Sequence, residues 1–366
     1  MTSMNDRHVD VVVIGAGASG LRTAGLLSNA GIDVLVLEAR DHVGGRLRSI
    51  PHDDGEGALD VGATWFWAQE KHINSAISEL DISTHAQHIA GDAMYHDPAG
   101  TQRIEGNPID VPAGRFSGGA QQLTNRLAAQ LPTDTIETSR AARAITYDAD
   151  QGRLLVETSA DSETSAGTVT AHQVVVALPP ALASHSLKFD PDLPDPLPAL
   201  ARQTPVWMGS VIKVVVAYPR AFWRDDGLAG AAISHTGPMR ELHDMSGPDG
   251  RSAALFGFMP VVSPGTQPPT REAIVAQLVD LFGPVAQDPS SIHIVDWRNE
   301  PYTSPPGVEM LRNYGTYGHR AWDTPAFDGR LHWASTETSA VNPGHIDGAL
   351  ARAETIAARI LERGTE

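Results

Sequence analysis

Two groups of residues have types and spacing suited to chemistry. Gly15-Ala16-Gly17-Ala18-Ser19-Gly20 follows the apolar run Val9 to Ile14, opens a stretch of helical composition, Leu21 to Ala30, and is followed by Glu38, 18 positions after Gly20. That arrangement suits a dinucleotide. Gly15 permits the tight turn, Gly17 admits a pyrophosphate to the backbone, and Gly20 lets helix and strand pack closely. Ala18 and Ser19 lie in the turn that opens the helix, whose N-terminus supplies free amides and a positive dipole end to phosphate. Glu38 closes the second strand, Asp33 to Glu38, where its carboxylate can accept two ribose hydroxyls and disfavours a phosphorylated ribose, so FAD or NAD is expected over NADP. The second group is Lys213, set in the apolar run Val211 to Ala217. An ammonium there is costly to bury unless it is paired or functional; the alternative is a lysine on the solvated face of a half-exposed sheet.

These groups need elements to position them. The first strand, glycine turn, helix and second strand read as a β-α-β unit, with the strand buried on both faces of a parallel sheet. A hairpin is expected across Asp97-Pro98-Ala99-Gly100, a helix from about Ala120 to Leu131, and strands near Ala142 to Tyr147 and Leu154 to Thr158. Gln173 to Leu178, closed by Pro179-Pro180, reads as a buried strand returning to the cofactor sheet. Phe189 to Pro198 reads as an extended crossover marking a domain boundary. Beyond it, Val211 to Tyr218, Ala229 to Ser234, Arg240 to Asp244, Ala253 to Phe258 and Ile292 to Trp297 suggest an antiparallel sheet, with a helix near Arg271 to Phe282. A strand from Arg330 to Ala334 and a long helix from about Gly344 end the chain.

At 366 residues the chain suits two domains. A net charge of −17 repels nucleic acid and would weakly attract a cationic small substrate. No apolar run is long enough to span a bilayer, and the first residues carry no apolar leader, so no membrane partner and a cytoplasmic location are expected. There is no cysteine, which excludes disulfides, thiolate metal sites and a cysteinyl flavin link. His85 and His88 lack acids at ligand spacing and read as solvated rather than metal-binding.

Glu38-Ala39-Arg40-Asp41 leading to Gly44-Gly45-Arg46 resembles the second fingerprint of the flavin-containing amine oxidase family, in which the glycine pair and arginine lie along the FAD pyrophosphate. The resemblance spans nearly the whole chain. Asp60-Val61-Gly62-Ala63-Thr64-Trp65 is similar to the family segment passing beside the flavin ring. Gly118-Gly119-Ala120-Gln121-Gln122-Leu123 is similar to the helix start preceding the adenine-holding strand, which implies an adenine contact at Ala142. Trp333 to Thr338 followed by Gly344 to Ala349 resembles the family's last strand, acidic turn and final helix; it implies that Glu337 contacts the FAD chain and that Ile346 presents an amide to the flavin's pyrimidine edge. Trp207 to Lys213 is similar to the strand whose lysine holds a water beside flavin N5. Asp296-Trp297 implies an indole near the ring.

The resemblance implies an α/β, two-domain FAD-binding fold: a Rossmann-type βαβ cofactor domain from 1–70, 113–185 and 327–366, and a mixed, largely antiparallel substrate domain from 71–112 and 186–326. It implies non-covalent FAD, an amine substrate and dioxygen as acceptor, with Trp65, Trp207 and His345 in the substrate pocket. Two departures stand out. Of the family's two cage aromatics, one position holds His345 and the other falls in Thr303-Ser304-Pro305-Pro306-Gly307. The 53 positions from Trp65 to Gly118 lack the usual helical insertion, so the pocket is smaller, more open or completed by another subunit of a homo-oligomer. His345 reads either as a substrate contact or proton-transfer group, or as a structural histidine at a helix start. Oxidation of a carbon-carbon bond, and a flavin-binding partner without turnover, are the alternative functions.

Overall fold

A computed structural model describes residues 6–160, 167–261, 263 and 265–363 of the chain. Its first strand, Asp6–Ile14, carries Val11, Val12 and Val13 with both faces sealed, because parallel neighbours flank it and helices cover the sheet. Val34–Leu37 pairs along one edge and Gly167–Val176 along the other, both parallel. The long strand Gly167–Val176 changes partner half-way on its free edge. Its first half takes Arg153–Ala160 antiparallel, and its last three residues take Leu331–Trp333 parallel. The result, among the described residues, is one eight-stranded mixed sheet that ends its parallel strands at the glycine turn.

Helices Ala18–Asn29, Lys71–Glu79, Gln121–Ala129 and Ile346–Arg363 share one apolar core against this sheet. The helix Lys71–Glu79 lies within the short interval between Trp65 and Gly118. It packs with the cofactor half through Ile73 and Ala76. The Phe189 to Pro198 stretch is more than an extended crossover. It contains the end of a strand, Lys188–Asp190, and leads into the helix Leu197–Gln203, whose Leu197 and Ala201 bury against the cofactor sheet.

The second sheet runs in the order Ser291–Asp296, Val211–Ala217, Ala254–Pro260, Glu241–Asp244, Leu228–Ser234, Asp92–Asp97, Gly100–Ile104. It is antiparallel except where Asp92–Asp97 joins Leu228–Ser234 in parallel, which is how the expected hairpin is recruited from the N-terminal half. Its two faces are both covered. Val214 and Val216 pack on the helix Arg271–Phe282, while Val215 and Ala217 meet Leu59, Val61 and Phe256. Lys213 shares the second face, because side chains alternate along a strand. The reading of Lys213 on a solvated face is therefore overturned.

Candidate active site

One cavity of about 940 Å³ runs between the two sheets. Gly15, Gly17, Ala18 and Ser19 line it at the end of the first strand, beside Glu38, Ala39, Arg40 and Ala142. Glu38 is buried, with Oε2 accepting the Ala16 amide at 2.8 Å and Oε1 the Arg40 amide at 2.9 Å. Each carboxylate oxygen keeps a second lone pair for a hydroxyl. Arg40 reaches across to Thr303 Oγ1 at 2.9 Å and lies over the Tyr302 ring, so the segment after Trp297 packs on this end of the cavity.

Three of the expected contacts do not line the cavity. Gly20 faces the strand: a Cβ there would lie 1.9 Å from the Gly15 carbonyl, which is the close helix packing expected of it. Gly44 turns away at φ +132°, leaving Gly45 to face Gly17, where a Cβ on Gly45 would meet the Gly17 Cα at 3.3 Å. Glu337 is fully buried, accepting the Arg46 guanidinium through both oxygens, at 2.6 and 3.0 Å, and the Trp207 amide at 3.1 Å. Glu337 thus stands behind Arg46, which itself lines the cavity. The reason is electrostatic: a sealed carboxylate needs a counter-charge within bonding distance.

At the other end stand Gly45, Arg46, Gly62, Ala63, Thr64, Trp65, Trp207, Lys213, Trp297, His345 and Ile346. Lys213 is 3% exposed. Its Nζ donates to the Gly62 carbonyl at 2.8 Å and to Thr64 Oγ1, and lies 4.4 Å from the Phe256 ring centre. Burial pushes its pKa down to about 7, with the Asp60 carboxylate opposing and the Arg115 guanidinium adding to the shift. Two of three donor positions are thus used, and the third is available to a water. The Asp60-to-Trp65 segment is tied in place by Trp297, whose Nε1 donates to the Val61 carbonyl at 3.1 Å.

Around His345 the structure supplies aromatics that the sequence pattern lacked. Trp67 lies 5.0 Å from the imidazole at 36° between planes, and Trp207 lies 6.3 Å away on another side. His345 Nδ1 is 2.6 Å from Glu70 Oε1. Across the cavity, Lys213 sits opposite Phe258 in the sheet register and Phe258 opposite Glu241. Direct partners share a face, so Glu241 points to the same cavity roughly 10 Å of backbone away from Lys213. The His243 imidazole, its Nε2 3.0 Å from Glu241 Oε1, holds Glu241 below its ordinary pKa. His243 is itself held above its ordinary value by Asp110 and Glu241, which together outweigh its burial. His85 and His88, expected to be solvated, are half-buried, and desolvation lowers His85 to about 4.

Sequence reasoning missed Trp67, Glu70, Glu241 and the residues behind it. Trp67 stands two positions after Trp65, and Glu70 immediately precedes a helix; each is ordinary by itself. Only the pairing of residues 275 positions apart makes Glu70 part of the site.

The cavity fits an extended dinucleotide cofactor, open at one end to Glu38 and Ala142 and at the other to Lys213 and Ile346. Ser335, in its lining, has a buried hydroxyl without a hydrogen-bond partner, as a wall shaped for a polar ligand would leave.

Comparison with known proteins agrees. Residues 99–361 match the family model of flavin-containing amine oxidoreductases, and residues 13–80 match the NAD(P)-binding Rossmann-like domain. The chain is 26% identical to the putrescine oxidase of Kocuria rosea, covering 97% of this chain and 96% of that protein. It is 24% identical to a probable flavin-containing monoamine oxidase A of Dictyostelium discoideum, covering 93% and 95%. Two solved structures, a putrescine oxidase bound to putrescine and a cyclohexylamine oxidase from Brevibacterium oxydans, each superpose with a TM-score of 0.82 at 22% identity over 98% of this chain and 100% of theirs. No helix among the described residues is long and apolar enough to cross a membrane.

Proposed function

We propose, from the premise that the chain belongs to the flavin-containing amine oxidoreductase family, that this flavin-dependent oxidoreductase carries out the oxidative deamination of an amine. Its cofactor is FAD, which no cysteine can tether. The observation that carries the reading is Lys213, an ammonium sealed into the same cavity that the glycine turn opens on.

The chemistry supplied by bound FAD is uptake of a hydride from the carbon bearing the amine, with dioxygen receiving the electrons as hydrogen peroxide and the imine hydrolysing in water. The chain's residues bind and place the reactants. Gly15 to Ser19, Glu38 and Ala142 would hold the ADP half, Gly62 to Thr64, Trp297 and Ile346 the ring. Lys213, fixed by Gly62 and Thr64, would hold a water in its third donor position. Trp65, Trp67 and Phe258 exclude bulk water. Glu241 gives the cavity a negative charge that suits a cationic substrate and opposes an apolar one, which weighs against oxidation of a carbon-carbon bond.

The test is an anaerobic titration of the yellow protein with n-butylamine, benzylamine, cyclohexylamine and 1,4-diaminobutane. Bleaching of the visible flavin band by at least one, with peroxide formed on admitting air, is expected. A flavin band unchanged by every amine overturns the proposal.

A further inference from the structure

We propose that His345 accepts the proton of the substrate's ammonium group, with Glu70 as the positioning residue that keeps the imidazole in the accepting tautomer. The inference rests on the amine-oxidising reading of the cavity and adds the proton's destination.

An alkylamine at neutral pH arrives as an ammonium ion. Its nitrogen then has no lone pair, so the neighbouring carbon cannot release a hydride. One N–H bond must break first, its electron pair staying on nitrogen and its proton leaving to a base. Of the ionisable residues lining the cavity, His185, on the helix Pro180–Ser186, has no carboxylate bonded to it among the described residues, and the acids and the amine are engaged. Both Glu38 oxygens accept backbone amides. The Lys213 nitrogen is bound to Gly62 and Thr64, and its remaining position is the one assigned to the water. Glu241 is held ionised by His243, which weakens it as a base.

His345 is arranged differently. Glu70 is 3% exposed, and its other oxygen, Oε2, accepts the Trp67 amide at 2.9 Å, so the carboxylate is fixed. An ionised carboxylate only accepts, so His345 Nδ1 carries the proton on the bond to Glu70. In the neutral ring, Nε2 is then the lone-pair nitrogen. Among the described residues no hydrogen bond engages Nε2, and the side chain keeps 36% exposure while lining the cavity. The main chain is fixed as well: the His345 carbonyl accepts Thr336 Oγ1 at 2.8 Å, and its amide donates to Asn342 at 3.1 Å. Trp67 and Trp207 flank the ring. When the proton moves to Nε2, the imidazolium charge is offset by Glu70.

Charged and titratable groups on the packed elements are Asp347 on the last helix, bound to the Ile73 amide and Asn342, His72 on the helix after Glu70, bound to Glu354, and Lys71 beside it. Behind Trp207 lie Tyr314 and the Arg46–Glu337 pair, and Lys213 lines the same cavity. Among the described residues none of these bonds the imidazole, whose one hydrogen bond is to Glu70.

The test is the pH profile of kcat/KM for the holoenzyme, using whichever of the four amines above reduces the flavin fastest. Substituting His345→Gln is expected to lower the plateau about 100-fold or more and to abolish the acidic limb, the range found for a lost general base. Glu70→Gln is expected to move the acidic limb to lower pH, and Glu70→Asp to restore it. Added imidazole is expected to recover activity in His345→Ala. Nitrogen-15 spectra of histidine-labelled holoenzyme should show the Nδ1–H tautomer in the parent and its loss in Glu70→Gln. The proposal is overturned if His345→Gln keeps both plateau and limb, or if the parent spectrum shows Nε2 protonated at neutral pH. Failure of the underlying reading looks different: then no amine reduces the parent's flavin at all.

Discussion

Arg46 closes both terminal guanidinium nitrogens on the Glu337 carboxylate, Nη1 to Oε1 at 2.6 Å and Nη2 to Oε2 at 3.0 Å, joining positions 291 residues apart. Glu337 is wholly buried there. Burial alone would raise its pKa, but the Arg46 charge and hydrogen bonds hold it below the ordinary 4.5. A depressed carboxylate stabilises the fold above its unfolded pKa and loses that contribution as pH falls through the folded value. Replacing Glu337 with Gln leaves a part-buried guanidinium without its counter-charge, and a loss of up to about 3 kcal/mol is expected in urea unfolding at pH 7. The difference between parent and variant should narrow towards pH 3. The double change Arg46→Met with Glu337→Leu should recover much of the loss.

Gly20 and Gly25 lie in one helix and meet different surroundings. A Cβ on Gly20 would overlap the Gly15 carbonyl, whereas one on Gly25 meets nothing within 4 Å. Gly20→Ala should lose bound flavin and lower the melting temperature. Gly25→Ala should keep its flavin and gain up to about 1 kcal/mol, the helix preference for alanine. Calorimetry with the flavin absorbance per protein reads both.

Lys213 has a folded pKa of about 7 against an ordinary 10.5. The slope has the same sign as that of Glu337, but its origin is a penalty relieved: below pH 7 both states are protonated and the burial penalty is present in full. Between pH 7 and 10.5 the unfolded state binds the extra proton, so stability rises with pH. Lys213→Met should therefore gain most over the parent at pH 6, and its advantage should shrink by pH 9 in thermal unfolding. The same variant should slow reoxidation of the reduced flavin by dioxygen.

Glu241 faces the cavity as an ionised carboxylate whose side chain is 47% exposed. Exposure of that degree screens its charge, so Glu241→Gln should weaken amine binding by no more than about 1 kcal/mol, roughly five-fold in KM, with kcat little changed. Steady-state kinetics at two salt concentrations checks this; the effect should diminish at the higher one.

Much of the cofactor half was legible in local sequence. The glycine turn, the buried first strand and the acid closing the second strand each act within about thirty residues, so spacing alone expresses their geometry. The helix Arg271–Phe282 and the lysine strand were equally readable, since periodicity records which faces are apolar. Local pattern is silent on which polar groups satisfy one another. Nothing near Arg46 in sequence says that a carboxylate 291 positions later is sealed beside it.

The amine-facing end shows the same division. From composition and motif came a cavity-forming flavin fold, no cysteine link and a histidine where an aromatic was expected. Tertiary structure alone decided that Trp67 and Trp207 flank that histidine, that Glu70 holds its Nδ1, and that Glu241 stands in register with Lys213. The physical reason is that backbone preferences act between near neighbours, whereas a binding surface is made by side chains that meet only after two sheets and the helices between them have packed.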